Sequence, residues 1–195
     1  MDSFLFCLLL VAGIALGARD QMVIAQLSDA LADRSGPFVR RPVPLLVLGC
    51  VCAVISAGVM TYAGLSLAAL LPQRAAQMLV AFALGLAAFE LGWPVRIKAA
   101  HEPTRSLGAI GLVILWRQLG DGARFVIFAF AAGAVYPLAA FAGGALGGGV
   151  AIAIGWMIGE EQLTRWPLNV IRRTFALCLI VAALFIGLDA RYSAY

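Results

Sequence analysis

Charged residues are scarce in this chain: of 195 residues only 12% are Asp, Glu, Lys or Arg, whereas 63% are hydrophobic. A soluble domain has roughly a quarter of its residues charged, so this chain has too little polar surface to cover a fold in water. Inside a bilayer, only helices or closed barrels satisfy every backbone group. The apolar residues form unbroken runs, not the in-and-out alternation of barrel strands. We therefore predict an all-α integral membrane protein.

The sequence also lacks the residue sets on which enzymes and metalloproteins depend. It has one histidine, and its four cysteines lie in apolar segments, which indicates neither a disulfide framework nor a zinc site. There is no nucleophile–base constellation, phosphate-binding loop or cofactor motif. The net charge of +4 comes from basic residues in short loops and does not indicate nucleic-acid binding. We expect no enzyme and no cofactor; the expected partners are the lipid bilayer and a small ion or solute, with a homo-oligomer left open.

Six apolar segments are long enough to cross the hydrocarbon core, which takes about 20 helical residues. All six belong to one membrane domain that fills the chain. The predicted spans run from Phe4 to about Leu31, from about Val43 to Leu71, from Ala75 to Val95, from Leu107 to about Ala134, from Pro137 to Ile158, and from about Val170 to Leu188.

Basic residues are concentrated on one predicted side of the membrane. The loops after spans one, three and five hold nine of them, whereas the other side has only Arg74 and Arg191. Positively charged loops stay in the cytoplasm, so we expect these three loops inside, both termini outside, and a bacterial inner membrane as the location. The nine are Arg34, Arg40, Arg41, Arg96, Lys98, Arg105, Arg165, Arg172 and Arg173.

A short internal repeat links spans one and four. Leu16-Gly17 matches Leu119-Gly120 and Val23-Ile24 matches Val126-Ile127, each 103 positions apart. Three crossings separate the copies, so they run through the membrane in opposite directions. This is the pattern of two inverted three-helix repeats, which place a substrate site between the halves.

The repeat divides the chain into residues 1–95 and 107–190. Small residues let membrane helices approach closely. We therefore expect Gly17 and Gly120 to lie where helices one and four contact each other.

Ionisable residues inside a span are costly and usually mark a site. Arg117, Asp121 and Arg124 stand four and three residues apart, so a continuous helix would place them on one face. Arg19 and Asp20 form a second group, and Arg19 could reach Asp121 from the opposite half. Two interpretations stay open, a buried ion-pair network and a site in which Asp121 contacts a substrate or exchanges a proton.

The segments from Leu16 to Gln21 (LGARDQ) and from Gln118 to Asp121 (QLGD) resemble a motif, Glu-x-Gly-Asp-Lys/Arg-Ser/Thr. It occurs twice in the small six-helix cation/proton antiporters that include the Golgi calcium/manganese exchangers and bacterial manganese exporters. The resemblance implies the same inverted-repeat fold and a transported divalent cation such as manganese or calcium. It implies a site between helices one and four, with Asp121 as a metal ligand and with Gln118, Asp20 and Gln21 as further oxygen donors.

The chain departs from this motif at most of its acidic positions. Ala15 and Ala18 replace both carboxylates of the first copy, and Gln118 replaces the glutamate of the second, so only Asp121 is kept. Three arginines, Arg19, Arg117 and Arg124, are expected as charge partners that oppose a cation. Besides a degenerate cation/proton antiporter, a non-transporting structural or regulatory subunit and a transporter of an anionic or zwitterionic solute therefore remain alternatives. The position of Glu90 predicts an interfacial residue, with a proton-relay role as its alternative.

Overall fold

The computed structural model describes residues 2–33, 35, 39–93, 106–133 and 136–192, and these form eight α-helices. The four basic loop residues Arg34, Arg96, Lys98 and Arg105 lie outside the described residues. The helices are α1 (Asp2–Ala15), α2 (Arg19–Ala30), α3 (Val43–Leu70), α4 (Gln73–Gly92), α5 (Leu107–Leu119), α6 (Gly122–Gly133), α7 (Pro137–Thr164) and α8 (Leu168–Tyr192).

Four of these helices, α3, α4, α7 and α8, are long and apolar enough to cross a membrane. The bent pair of α1 and α2 can act as a fifth crossing, whereas α5 and α6 are shorter apolar helices. The prediction of a helical membrane protein is therefore confirmed. The predicted limits of spans two, three, five and six agree with the helices to within a few residues, apart from the later end of α7.

Spans one and four are not the continuous helices that the sequence predicts. The first breaks at residues 16–18, where α1 and α2 meet at a bend of 63°. Gly17 has a φ of 76°, a left-handed conformation that ends a helix and that other residues rarely adopt. The fourth breaks at Gly120 and Asp121, and the Asp121 side chain accepts a hydrogen bond from the Ala123 N–H group (3.3 Å) in the first turn of α6. Both breaks fall on the repeated Leu-Gly pair.

Glycines in α7 allow its close packing against α1. A Cβ atom on Gly143 or Gly147 would lie 2.6 Å from the backbone oxygen of Phe4 or Leu8, respectively. Only glycine fits at such a distance, so the glycine-rich stretch serves tight helix packing. Helix α7 also packs on α3. Helices α1 and α2 pack on α7, whereas α5 and α6 pack on α3.

The far end of α7 is fixed by a second left-handed glycine. At Gly159 φ is 75°, and α7 changes direction there. The Asp29 carboxylate accepts a hydrogen bond from the Glu160 N–H group (2.7 Å) and forms an ion pair with Arg41 (3.0 Å). This contact ties α2, the start of α3 and the end of α7 together at one end of the bundle.

The two glycines of the helix breaks should respond differently to alanine. At Gly17 a Cβ atom would lie 3.1 Å from the Leu168 Cβ, and the left-handed backbone costs about 1–2 kcal/mol for a residue with a side chain. At Gly120 φ is −93° and the nearest atom would be 4.0 Å away. We expect Gly17→Ala to lower the melting temperature in detergent and Gly120→Ala to leave it nearly unchanged. Equal losses would show that the first break does not need its glycine.

The orientation of the bundle can be tested with single cysteines in a chain without native thiols. Ser35 and Glu161 are exposed on the predicted cytoplasmic side, and Arg74 is exposed on the opposite side. In intact cells an impermeant thiol reagent should label Arg74→Cys and spare Ser35→Cys and Glu161→Cys, because charged reagents do not cross lipid. Labelling of Ser35→Cys from outside would reverse the orientation.

Candidate functional site

Each helix break places a carboxylate at the start of the half-helix that follows it. Asp20 is the second residue of α2, and Asp121 directly precedes α6. Both are buried, with 5% and 7% of their surface exposed. The positive end of a helix dipole stabilises a carboxylate in this position. The Asp20 Oδ1 accepts a hydrogen bond from the Gln21 N–H group (2.8 Å).

The fold brings these two carboxylates from opposite halves into one electrostatic cluster. Asp20, Glu90, Arg124 and Arg172 all lie near enough to act on the charge of Asp121. Within the described residues, neither Asp20 nor Asp121 forms an ion pair. The structure thus places Asp20 and Asp121 at the two helix breaks, and a shared site between helices one and four remains a prediction.

Gln21 and Gln118 are both fully buried beside the breaks, but their oxygens are already engaged. The Gln21 Oε1 accepts from the Gly17 N–H group (2.6 Å), while its Nε2 donates to the Ala151 oxygen of α7 (2.7 Å). The Gln118 Oε1 accepts from the Ser56 hydroxyl (2.9 Å), and its Nε2 has no hydrogen-bond partner among the residues that the structure describes. Gln21 thus holds the first break in shape, and Gln118 leaves a buried donor available.

Arg124 is the predicted charge partner that does enter the cluster. Its side chain is 1% exposed, and its Nε donates a hydrogen bond to the Ser56 Oγ (2.7 Å). The end of its guanidinium lies against Gly148 of α7, where a Cβ atom would be 2.9 Å from Nη1. Within the described residues no carboxylate pairs with it directly. Arg124 is thus a buried cation that Asp121 balances only at longer range.

Arg117 and Arg19 do not take the places that the sequence predicts. Both side chains are exposed, and neither forms an ion pair within the described part of the chain. Helix α5 ends at Leu119, so Arg117, Asp121 and Arg124 do not lie on one continuous helix. The predicted three-residue face is therefore wrong, because the break turns Arg117 outward.

Gly120 also differs from its prediction as a helix contact. It is exposed, and a Cβ atom there would meet nothing closer than the Arg117 oxygen of its own helix. Gly17, by contrast, is buried against Leu168 of α8. The two broken spans do contact each other, through α1 with α6 and α2 with α5, but not through this pair of glycines.

An ion pair that the sequence does not reveal connects the two breaks. The Arg172 Nη2 lies 3.3 Å from the Glu90 Oε2, and their side chains are only 4% and 13% exposed. The same carboxylate oxygen accepts a hydrogen bond from the Gly122 N–H group (3.3 Å) at the start of α6. Arg172 also donates to the Gly17 oxygen (3.4 Å) at the first break. Arg172 thus binds at the negative end of the α1 dipole, and Glu90 binds at the positive end of the α6 dipole.

Sequence reasoning placed Arg172 in a loop and Glu90 at the interface. Arg172 instead lies inside α8, whereas Glu90 lies two residues before the end of α4, in agreement with its predicted place near the end of a span. The available signal was the position of both residues just inside the ends of apolar spans, since an ionisable residue there needs a partner. Glu90 is engaged by this partner, and its proposed role as a proton relay remains a prediction.

The described residues contain no group of three or more His, Cys, Asp or Glu side chains that could hold a metal ion. A calcium ion takes six to eight oxygen ligands, and the two glutamine oxygens already accept hydrogen bonds. Asp20 and Asp121 are the carboxylates at the two breaks, and the role of Asp121 as a metal ligand remains a prediction.

A cavity of about 530 Å³ borders the cluster at the ends of α7 and α8. Gly17, Met22 and Arg172 are among its lining residues, together with Glu160, Thr164 and residues 166–170. The cavity thus extends from the turn between α7 and α8 to the first helix break.

Comparisons of the chain with protein-family models, with curated proteins and with solved structures find no match.

The ion pair of Glu90 and Arg172 should contribute to the stability of the fold. Arg172→Met should leave Glu90 buried without its cation, at a cost of about 3–5 kcal/mol. The double variant Glu90→Gln/Arg172→Met should recover much of that loss, because no uncompensated charge remains. Thermal unfolding in detergent measures both effects. Arg173→Met, next in sequence but exposed, is the control; an Arg172→Met protein as stable as this control would contradict a structural role for the pair.

Proposed function

We propose that this chain is a small secondary transporter that exchanges a cation for protons at the two helix breaks. In this proposal α1–α2 and α5–α6 each form one broken span, which gives six spans in two inverted halves. Interrupted helices that meet between inverted repeats are where such transporters bind their substrates. The two breaks at matching Leu-Gly pairs, each followed by a buried carboxylate, support this arrangement.

The observation that carries the proposal is the charge of the buried cluster. With every group ionised, Glu90 and Arg172 neutralise each other, which leaves Asp20 and Asp121 against Arg124. One carboxylate is then in excess in a region where an unbalanced charge is strongly disfavoured. A bound cation or a bound proton removes the excess. Alternation between these two occupants is the chemistry of a cation/proton exchanger.

The exposure of Arg19 and Arg117 favours a cation over an anionic or zwitterionic solute. The sequence predicts that three arginines face the site and oppose a positive charge. Of these three, only Arg124 is buried in the cluster. Because the buried Arg172 is paired with Glu90, the local balance is negative rather than positive. The manganese or calcium that the family resemblance implies belongs to this proposal, as does sodium or potassium.

A non-transporting subunit of the same fold is the second candidate. It is favoured by the engaged oxygens of Gln21 and Gln118, which act as internal hydrogen-bond partners and not as open ligands. In that case the buried charges would serve the fold alone. The two candidates predict different consequences for the loss of the Asp121 charge.

A measurement of flux in proteoliposomes distinguishes the transporter from the non-transporting subunit. The purified protein should move a cation against a proton gradient when manganese, calcium, sodium and potassium are screened with a pH dye inside. Asp121→Asn and Asp20→Asn should each abolish this flux while leaving the protein folded, because each removes the excess negative charge. Asp189→Asn, a carboxylate exposed near the end of α8, should transport normally.

Two results would contradict the transporter. One is the absence of flux for every cation together with a large loss of stability in Asp121→Asn, which supports the structural subunit. The other is unchanged cation flux in stable Asp121→Asn and Asp20→Asn proteins, which would place the site elsewhere. Flux of small anions instead of cations would support the remaining alternative.

A further inference from the structure

Two interfaces that the repeat relates to each other differ in the structure. In two inverted halves, α2 corresponds to α6 and α8 corresponds to α4. Helix α6 packs closely along α4, whereas α2 and α8 scarcely touch. Other related contacts are only partly alike: α6 packs on α3 as α2 packs on α7, whereas α1 packs on α7 more extensively than α5 packs on α3. The largest difference is at the interface between α2 and α8.

The residues at matching positions explain how one interface closes. Gly122 of α6 packs directly on α4, where a Cβ atom would lie 2.8 Å from Leu91 and 3.0 Å from the Ala87 oxygen. The position 103 residues earlier is Arg19, whose side chain is exposed. A glycine lets two helices meet, whereas a guanidinium in a span needs water or a counter-charge. The interface with glycine is closed, whereas α2, which has exposed Arg19 at the matching position, makes little contact with α8.

The cavity of about 530 Å³ fills the open interface. Met22 contributes from α2, and Leu168, Asn169 and Arg172 contribute from α8. Non-helical backbone is tolerated within a membrane where it is buried in protein or lines a water-filled cavity. Gly17, the centre of the first break, lines this cavity. The cavity thus connects the end of the bundle with the backbone beside Asp20.

We infer that the cleft between α2 and α8 is the aqueous access route to the site, and that the ion pair of Glu90 and Arg172 is its inner barrier. The route opens on the face that carries the turn between α7 and α8. The closed contact of α6 with α4 seals the opposite face. At the inner end of the route, Arg172 bonds to Glu90 and to the Gly17 oxygen at once, which closes the gap between the two breaks.

This inference rests on the proposed transport function, but its test needs no transported solute. Single cysteines replace Met22 and its counterpart Phe125 in a chain without native thiols. An impermeant cationic thiol reagent is then added to oriented vesicles from either face. Met22→Cys should be labelled from the same face as Glu161→Cys, because Met22, although only 8% exposed, lines the cavity. Phe125→Cys should remain unlabelled from both faces, because the half-buried Phe125 packs against the core and does not line the cavity.

The barrier is tested at Asp20, on the inner side of the ion pair. Asp20→Cys should be unlabelled while Glu90 and Arg172 are paired. In the charge-neutral background Glu90→Gln/Arg172→Gln it should become labelled from the face of Glu161→Cys. The melting temperature of each variant shows that labelling reports on the folded protein.

Each outcome decides one part of the inference. Protection of Met22→Cys from both faces, or equal labelling of Met22→Cys and Phe125→Cys, would overturn the access route. Labelling of Asp20→Cys with the ion pair intact, or its protection without the pair, would overturn the barrier. Because labelling is read without flux, a chain that labels as expected and transports nothing would refute the transporter alone.

Discussion

The ion pair between Glu90 and Arg172 is the interaction on which the centre of this bundle depends. Each helix break leaves backbone groups unpaired, an acceptor at the end of α1 and a donor at the start of α6. Arg172 donates to the first, at Gly17, and Glu90 accepts from the second, at Gly122. Burying two ions costs several kcal/mol each, and these additional hydrogen bonds offset part of that cost. Without the pair, both breaks would lose their partners together.

Most polar groups near the breaks have a structural purpose of this kind. Gln21 satisfies the Gly17 N–H group, and Asp121 satisfies an N–H group in the first turn of α6. In lipid an unsatisfied backbone group costs several kcal/mol, so such residues are needed for the fold itself. Among the described residues, three features go beyond that need: the Asp20 carboxylate, which forms no ion pair, the buried guanidinium of Arg124, and the Gln118 amide nitrogen, which has no hydrogen-bond partner. Arg124 and Gln118 are both hydrogen-bonded to the Ser56 hydroxyl.

The sequence predicts four of the six spans well, those that become α3, α4, α7 and α8, because an apolar run is a one-dimensional property. It does not predict the directions of charged side chains, which depend on where a helix ends and how it rotates against its neighbours. Arg117 illustrates this, since its predicted face exists only if α5 continues past Leu119. Arg172 is the converse case: beside exposed Arg173 it reads as a loop residue, and only the approach of α4 gives it a buried partner. The repeated Leu-Gly pair is a signal in the sequence that does find both breaks, and Asp20 and Asp121 follow it closely.

In the proposed transporter, the charge count of the cluster limits which ion can be exchanged. Asp20 and Asp121 act on each other as like charges, and Arg124 offsets one of them. A single excess negative charge would be neutralised by one proton or by one singly charged cation, and either would leave the cluster balanced. A divalent cation would leave one positive charge in excess, unless further ligands reached it. Three of the four carboxylates of the motif that the sequence resembles are absent, so the proposed site matches a singly charged cation better than manganese or calcium.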